Sequence, residues 1–298
     1  MRKLLKPNLW QKVFYNYPRR TVQATAPNDI WACDLVDMNS EQLSKSGYIL
    51  NCVDVYSRYA QSVKLRTVKK KVNEKNVEYK GKSKECIEDG FVRIFELFGH
   101  KPKKIWFDKE SGVIALKSWL KEKGIELYHV ENSYMGPDTH SVSIAERFNR
   151  TMREAMLAYK SQPPPRSWNQ LIIHTINNFI PEYNHKIHST LGVSPHEAYK
   201  GNKGFVKEFV DEIHRERANE PKKEPKQMLK IGDFVFLQKA QEIIRGKKET
   251  KYYDIAYEIS GIKPTNPTTY TIKQTDEKQK DYGQTGFYRK QFILPRKE

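Results

Sequence analysis

Apolar residues crowd positions 30–38 and, past a polar stretch ending at Gly47, positions 48–65. That pattern predicts two long strands joined by a polar turn, an antiparallel hairpin. Within the first strand the period of two sets Ile30, Ala32 and Asp34 on one face and Trp31, Cys33 and Leu35 on the other. Positions 69–84 are dominated by Lys, Asn and Glu with few apolar anchors, which predicts an exposed excursion. A helix is expected over 86–98, then a short buried strand, Lys104-Ile-Trp-Phe-Asp108, that ends on an acid. The pattern continues with a helix over 111–123, a strand over 125–129, a loop holding Gly136 and Pro137, and a long helix over about 143–160. Strands alternating with helices define an α/β core.

Pro163, Pro164 and Pro165 stop the long helix, and a further helical pattern over 167–183 leads into 184–198. Positions 201–227 are charged and poor in core residues, with Pro221 and Pro225 near their end, the composition of a linker carrying one solvated helix. Beyond it, positions 233–237, 256–260, 269–273 and 287–293 are short β-like runs separated by turn residues such as Pro264, Asn266 and Pro267, which predicts a small all-β barrel. The organisation expected is a basic N-terminal arm (1–27), an α/β core (28–200), a charged linker (201–228) and a β domain (229–298), with no internal repeat.

Charge narrows the partners. Lys and Arg number 53 against 36 Asp and Glu, a formal net charge of +17, so the surface attracts polyanions. DNA or RNA is the expected partner; a membrane is not, because no long apolar run is present and the basic residues do not segregate onto one amphipathic helix. The three cysteines, Cys33, Cys52 and Cys86, form no CxxC pair and read as small buried hydrophobes in a reducing compartment. The basic N-terminus is broken by Pro7 before an apolar core of signal-peptide length accumulates, so secretion is not expected.

Three acids stand out in so basic a chain. Asp34 lies inside the first strand, where a carboxylate is costly unless paired or metal-bound. Asp108 ends a strand and precedes a Ser111-Gly112 turn, where ligands gather in open α/β sheets. Glu146 stands near the start of the long helix, whose core stripe runs through Ala145, Phe148, Met152, Ala155, Met156 and Tyr159, so Glu146 falls off the core face beside Arg150 and Arg153. Converging carboxylates suit Mg²⁺, which takes oxygen ligands. Taken singly, each has an ordinary explanation as turn former or helix-dipole partner.

The surrounding blocks join them. Trp31-Ala-Cys-Asp-Leu-Val-Asp-Met38, Val53-Asp-Val-Tyr-Ser-Arg-Tyr59, Phe107-Asp-Lys-Glu-Ser-Gly112, His140-Ser-Val-Ser-Ile-Ala-Glu-Arg-Phe-Asn149 and Tyr183-Asn-His-Lys-Ile-His-Ser-Thr-Leu-Gly-Val-Ser-Pro-His-Glu197 resemble, in order, the blocks of the retroviral-type integrase core. The first block is most similar to integrases of Maverick/Polinton transposons and their virophage relatives. The match covers roughly residues 28–200, and the C-terminal β segment resembles the SH3-like or chromodomain-like tail of that group more loosely. The resemblance implies an RNase H-like fold and a D,D-35-E site carried by Asp34, Asp108 and Glu146, with two Mg²⁺ or Mn²⁺ ions, Asp34 bridging both. It implies metal-dependent trimming of DNA ends and their joining to target DNA. Arg147, Asn149, Arg150, Arg153 and Lys109 are the expected DNA contacts, and the 134–143 loop with Gly136 is a hinge candidate. It further implies a homo-oligomer on double-stranded DNA, chromatin as a further partner, and residence in a host nucleus or a virion.

Three departures accompany the resemblance. Positions 109 to 145 between Asp108 and Glu146 exceed the nominal thirty-five, which an insertion in the Gly136 loop explains. Lys109 stands where many relatives carry Asn. No His pair followed by a Cys pair exists, so no zinc site is expected, and His185 and His188 are assigned to packing or phosphate binding. Asp37 and Asp54 compete with Asp34 as the first ligand and are kept as supporting or structural candidates. Lys69, Lys70 and Lys71 read as a solvated face before an import patch or DNA contact. Phe234, Phe236, Tyr252, Tyr253 and Tyr257 form either an aromatic cage or barrel core, with core the expected role. Binding without catalysis, and cleavage without joining, remain the alternatives to integration.

Overall fold

The computed structural model describes residues 24–38, 47–108, 111–130, 141–161, 167–201, 204–220, 228–238, 253, 255–277, 279 and 281–295. Contacts divide the chain into one unit built from Gln23–Glu131 with Ser141–Arg215 and another that includes Glu216–Glu298.

The first unit centres on a mixed sheet. Strand β1 (Ile30–Asp37) pairs antiparallel with β2 (Tyr48–Asp54), which pairs antiparallel with β3 (Ala60–Lys64). The run expected as one strand over 48–65 therefore breaks into two. Asp54 causes the break: its Oδ1 accepts from Ser57 N (2.7 Å) and Ser57 Oγ (2.6 Å), and Arg58 takes a left-handed φ of 62°. The lysine-rich excursion is itself a two-stranded hairpin, β4 (Val68–Val72) and β5 (Lys75–Tyr79). Asn73 and Glu74 close it with φ of 48° and 64°, the geometry of a two-residue turn that matches strand twist. Lys69, Lys70 and Lys71 are exposed on it, with Lys70 beside Glu88 at 3.6 Å.

Helix α1 (Lys84–Phe98) is started by Ser83, whose side chain accepts from Cys86 N, and stopped by Gly99 at φ 70°. Its stripe Ile87, Phe91, Ile94 and Phe98 packs on Trp31, Cys33, Leu35, Leu50 and Cys52 from one face of the sheet. Strands β6 (Lys104–Asp108) and β7 (Glu126–Val130) add in parallel, giving the order β3-β2-β1-β6-β7. Between them the helix expected over 111–123 is two short ones, α2 (Ser111–Ile114) and α3 (Lys117–Glu122), separated where Leu116 N bonds the Val113 carbonyl (3.0 Å) in a tighter turn. Gly112 has no room for a side chain: a Cβ would run into the Lys82 carbonyl oxygen.

Helix α4 (Ser141–Lys160) covers the other face, burying Ala145, Phe148, Met152 and Met156, the last three against Val36, Ile49 and Val53. Helices α5 (Trp168–His174) and α6 (Ile180–His185) run on through a π turn, Thr175–Phe179. Pro181 lacks the N–H that would continue the ladder, and the wider turn relieves its ring. Asn184 then acts as a strand surrogate, its Oδ1 accepting from Ala60 N and its Nδ2 donating to Ala60 O, both at 2.9 Å. A capping box of Ser194 and Glu197 opens α7 (Pro195–Lys200).

The segment expected as a linker with a solvated helix holds α8 (Phe205–Asn219), and its first part is docked rather than solvated. Val210 and His214 are buried, His214 Nε2 donates to the Tyr56 carbonyl (2.9 Å), and Tyr56 donates its hydroxyl to Asp211 Oδ1 (2.9 Å). Burial and the Asp211 carboxylate raise the Tyr56 hydroxyl far above its ordinary pKa, so it stays a donor.

The second unit carries an antiparallel sheet, β8 (Phe234–Leu237), β9 (Tyr257–Lys263), β10 (Thr269–Lys273), β11 (Phe287–Tyr288) and β12 (Phe292–Ile293), in the order β11-β10-β9-β8-β12. Val235, Leu237, Tyr257, Ile259, Tyr270, Phe287 and Phe292 fill its core, with Tyr253 packed against them. Phe236 packs with Ala256 and Ile293, so three of the five cage candidates are core. Phe234 is exposed, and Tyr252 lies outside the described residues. Among the described residues no helix is long and apolar enough to cross a membrane.

Candidate active site

The site grows from β1. Asp34 stands directly opposite Asn51 of β2, on the face that α4 covers. Its Oδ1 accepts from Leu35 N at 2.8 Å and its Oδ2 from Asn149 Nδ2 at 2.6 Å. Asn149 comes from α4, so one hydrogen bond ties that helix to the strand across 115 positions of sequence. Asn149 Oδ1 in turn accepts from Asn51 Nδ2 at 2.6 Å. An asparagine expected to touch DNA is thus turned inward, with both ends of its carboxamide engaged.

Asp108 is brought to Asp34 by register. Cys33 pairs with Phe107 on the parallel neighbour, so Asp34 and Asp108 are the next positions on adjacent strands, which lie about 4.8 Å apart. The side chain of Asp108, the whole of Lys109, and the loop residues 131–140 with Gly136 and Pro137 lie outside the described residues. Glu146 is exposed on α4, one turn before Asn149, and residues three apart on a helix share a side. Glu146 therefore neighbours on the helix surface the residue that reaches Asp34. Arg147, Arg150 and Arg153 are exposed on the same helix, Arg150 and Arg153 four and seven positions after Glu146. Glu146, Arg150 and Arg153 are thus exposed on the helix whose Asn149 reaches Asp34, and carboxylates and guanidiniums are groups that bind cations and phosphates.

The competing acids do other work. Asp54 is fully buried, and besides Ser57 it accepts from Asn28 N at 2.7 Å. Burial outweighs those hydrogen bonds and the nearby Arg58, pushing its carboxyl up to about 6 from an ordinary 3.8. The folded chain binds that proton more tightly than the unfolded one, so the associated stability is fully present below pH 3.8 and lost as pH rises through about 6. A carbon-13 titration of the Asp54 carboxyl should show a midpoint near 6, and a midpoint in the ordinary carboxylate range would contradict the dominance of burial. Asp37 is partly buried at the end of β1, three positions and one face away from Asp34.

His185 bonds the Pro181 carbonyl through Nδ1 (2.8 Å) and stacks on His196 with ring centroids 4.5 Å apart, and His188 Nδ1 accepts from Thr190 N (3.2 Å). Both histidines are engaged in local packing. All three cysteines are free and buried, and burial with Cys52 and Asp34 alongside drives the Cys33 thiol well up. Among the described residues no group of three His, Cys, Asp or Glu stands ready as a metal centre; the Asp108 side chain is outside that set. Sequence reasoning missed Asn51. Its signal was a lone carboxamide in the apolar strand Tyr48-Ile-Leu-Asn-Cys-Val53.

No protein-family model matches the chain, and no curated protein matches its sequence. Solved structures do. A chain of the simian T-cell lymphotropic virus intasome, solved with the PP2A regulatory subunit B56 gamma, superposes with a TM-score of 0.58 at 11% identity, covering 94% of this chain and 83% of that one. The HTLV-2 integrase catalytic core domain in complex with magnesium gives 0.43 at 15% identity over 59% of this chain and 99% of that one. The BIV integrase catalytic core domain gives 0.42 at 13% identity, over 59% and 95%. The chain has an RNase H-like core, a mixed five-stranded sheet between helices, followed by a small antiparallel β domain.

Proposed function

We propose that this protein is a DNA integrase, a polynucleotidyl transferase that trims the ends of a mobile element or viral genome and joins them to target DNA. The observation that carries the reading is the 2.6 Å hydrogen bond from Asn149 to Asp34, because it fixes the helix bearing Glu146 over the strands bearing Asp34 and Asp108. The sequence blocks support it, as does the net charge of +17.

The donor set fits Mg²⁺ or Mn²⁺. Three carboxylates are hard oxygen ligands. Asp34 Oδ1 accepts from Leu35 N and its Oδ2 from Asn149 Nδ2, which fixes the orientation of the carboxylate. When bound, divalent ions activate an attacking oxygen and stabilise the leaving one. Asp34, Asp108 and Glu146 would hold them. Arg150 and Arg153 position backbone phosphates, with Arg147 and Lys109 as further contacts, none of which reads sequence. DNA affinity then falls steeply with salt. The HTLV-2 core is described in dimeric and trimeric forms, and self-association on DNA is proposed here as well. Membership of the Maverick/Polinton group rests on the Trp31–Met38 block.

Incubating the protein with labelled duplex ends and a plasmid in Mg²⁺ or Mn²⁺ tests the reaction class. Joined products are expected. Binding without cutting would favour a DNA- or chromatin-binding role, and cutting without joining a nuclease; either result contradicts the integrase reading.

A further inference from the structure

We infer that Asn51 is a positioning residue for Asp34, acting through Asn149; the inference rests on the reading of Asp34 as a metal ligand. Asn51 is fully buried on the face of β2 shared with Ile49 and Val53, where α4 packs Met152. An apolar side chain would complete that core. Instead the position holds a carboxamide whose Nδ2 donates to Asn149 Oδ1 (2.6 Å) and lies 3.7 Å from Met152 Sδ. Its own Oδ1 is buried with no hydrogen-bond partner among the described residues.

The direction of the chain of bonds is set by chemistry. An ionised carboxylate only accepts, so Asn149 must aim Nδ2 at Asp34 and turn Oδ1 away. Only a donor can hold that Oδ1, and Asn51 supplies it. Flipping either amide would set two acceptors against each other. With Leu35 N on one oxygen and Asn149 on the other, the Asp34 carboxylate is oriented before any cation arrives. A buried carbonyl left without a partner is a standing cost to folding. A residue kept for stability alone would not carry that cost; one that fixes a ligand's orientation would.

Asn51→Leu, close in size, separates the two roles. For a positioning residue the melting temperature is unchanged or higher, because an apolar group replaces an unsatisfied one. In metal-free protein the Asn149 side-chain amide resonances should move and lose protection from exchange. Mn²⁺ affinity by calorimetry should fall about tenfold, the usual scale for partners that orient metal ligands, with a matching drop in kcat and little change in KM for DNA. Unmoved Asn149 resonances with unchanged Mn²⁺ affinity would overturn the inference. So would a clear fall in melting temperature accompanying the loss, which marks a structural role. Asp34→Asn serves as reference: if it too leaves Mn²⁺ affinity intact, the metal-site reading fails, and the Asn149 resonances still decide whether Asn51 holds that amide.

Discussion

Replacing Asp34 with Asn is expected to cut the yield of joined DNA by about a thousandfold or more. The estimate follows from a metal ion contributing about 4 kcal/mol of charge stabilisation and from each 1.36 kcal/mol being a factor of about ten in rate. The substitution is nearly isosteric. Asn can present an oxygen to Leu35 N or to Asn149, but not the charge that draws a divalent ion. Folding should survive, since Asp34 is only partly buried. DNA affinity should hold or tighten, because removing an acid lowers repulsion with phosphate. Gel-based joining assays and salt-dependent binding curves measured on the same preparation check both halves. Retained joining would remove Asp34 from the site.

The largest stability loss is expected from Trp31→Ala. Trp31 has no exposed surface, stacks on Phe98 at 3.9 Å between ring centroids, and donates Nε1 to Asn28 Oδ1 at 3.1 Å. Asn28 itself sits at φ 67°, bonds Asp54 through its N–H, and accepts from the Tyr199 hydroxyl at 2.9 Å. Removing the indole leaves a cavity between α1 and the sheet and frees that cluster. Truncations of this kind cost about 3–5 kcal/mol, which in a unit of this size lowers the melting temperature by roughly 6 to 20 °C. Calorimetry measures it directly. A change of only a degree or two would contradict the packing described here.

What could be read from sequence followed from its two periods. Alternation in β1 set Asp34 apart from Trp31 and Cys33, and the stripe through Ala145, Phe148, Met152 and Met156 put Glu146 on the outer side of α4. Features fixed by distant partners were not legible. The charged helix α8 is joined to Tyr56 through Asp211 and His214, and no local pattern in the sequence links those residues. The β4–β5 hairpin was hidden because its strands are largely polar, with four lysines in ten residues, and its turn uses Asn73 and Glu74 rather than a glycine. Helical spacing also could not say which way Asn149 points. That side chain is decided by what stands opposite Asp34, namely Asn51, and only strand register places the two together.

The central claim is that Asp34, Asp108 and Glu146 hold one metal site. Anomalous diffraction from crystals grown with Mn²⁺ tests it most directly. The expected result is an anomalous peak liganded by Asp34 together with Asp108 and Glu146. Mn²⁺ bound elsewhere on the chain, or no peak at Asp34 under conditions where the protein joins DNA, would contradict the account.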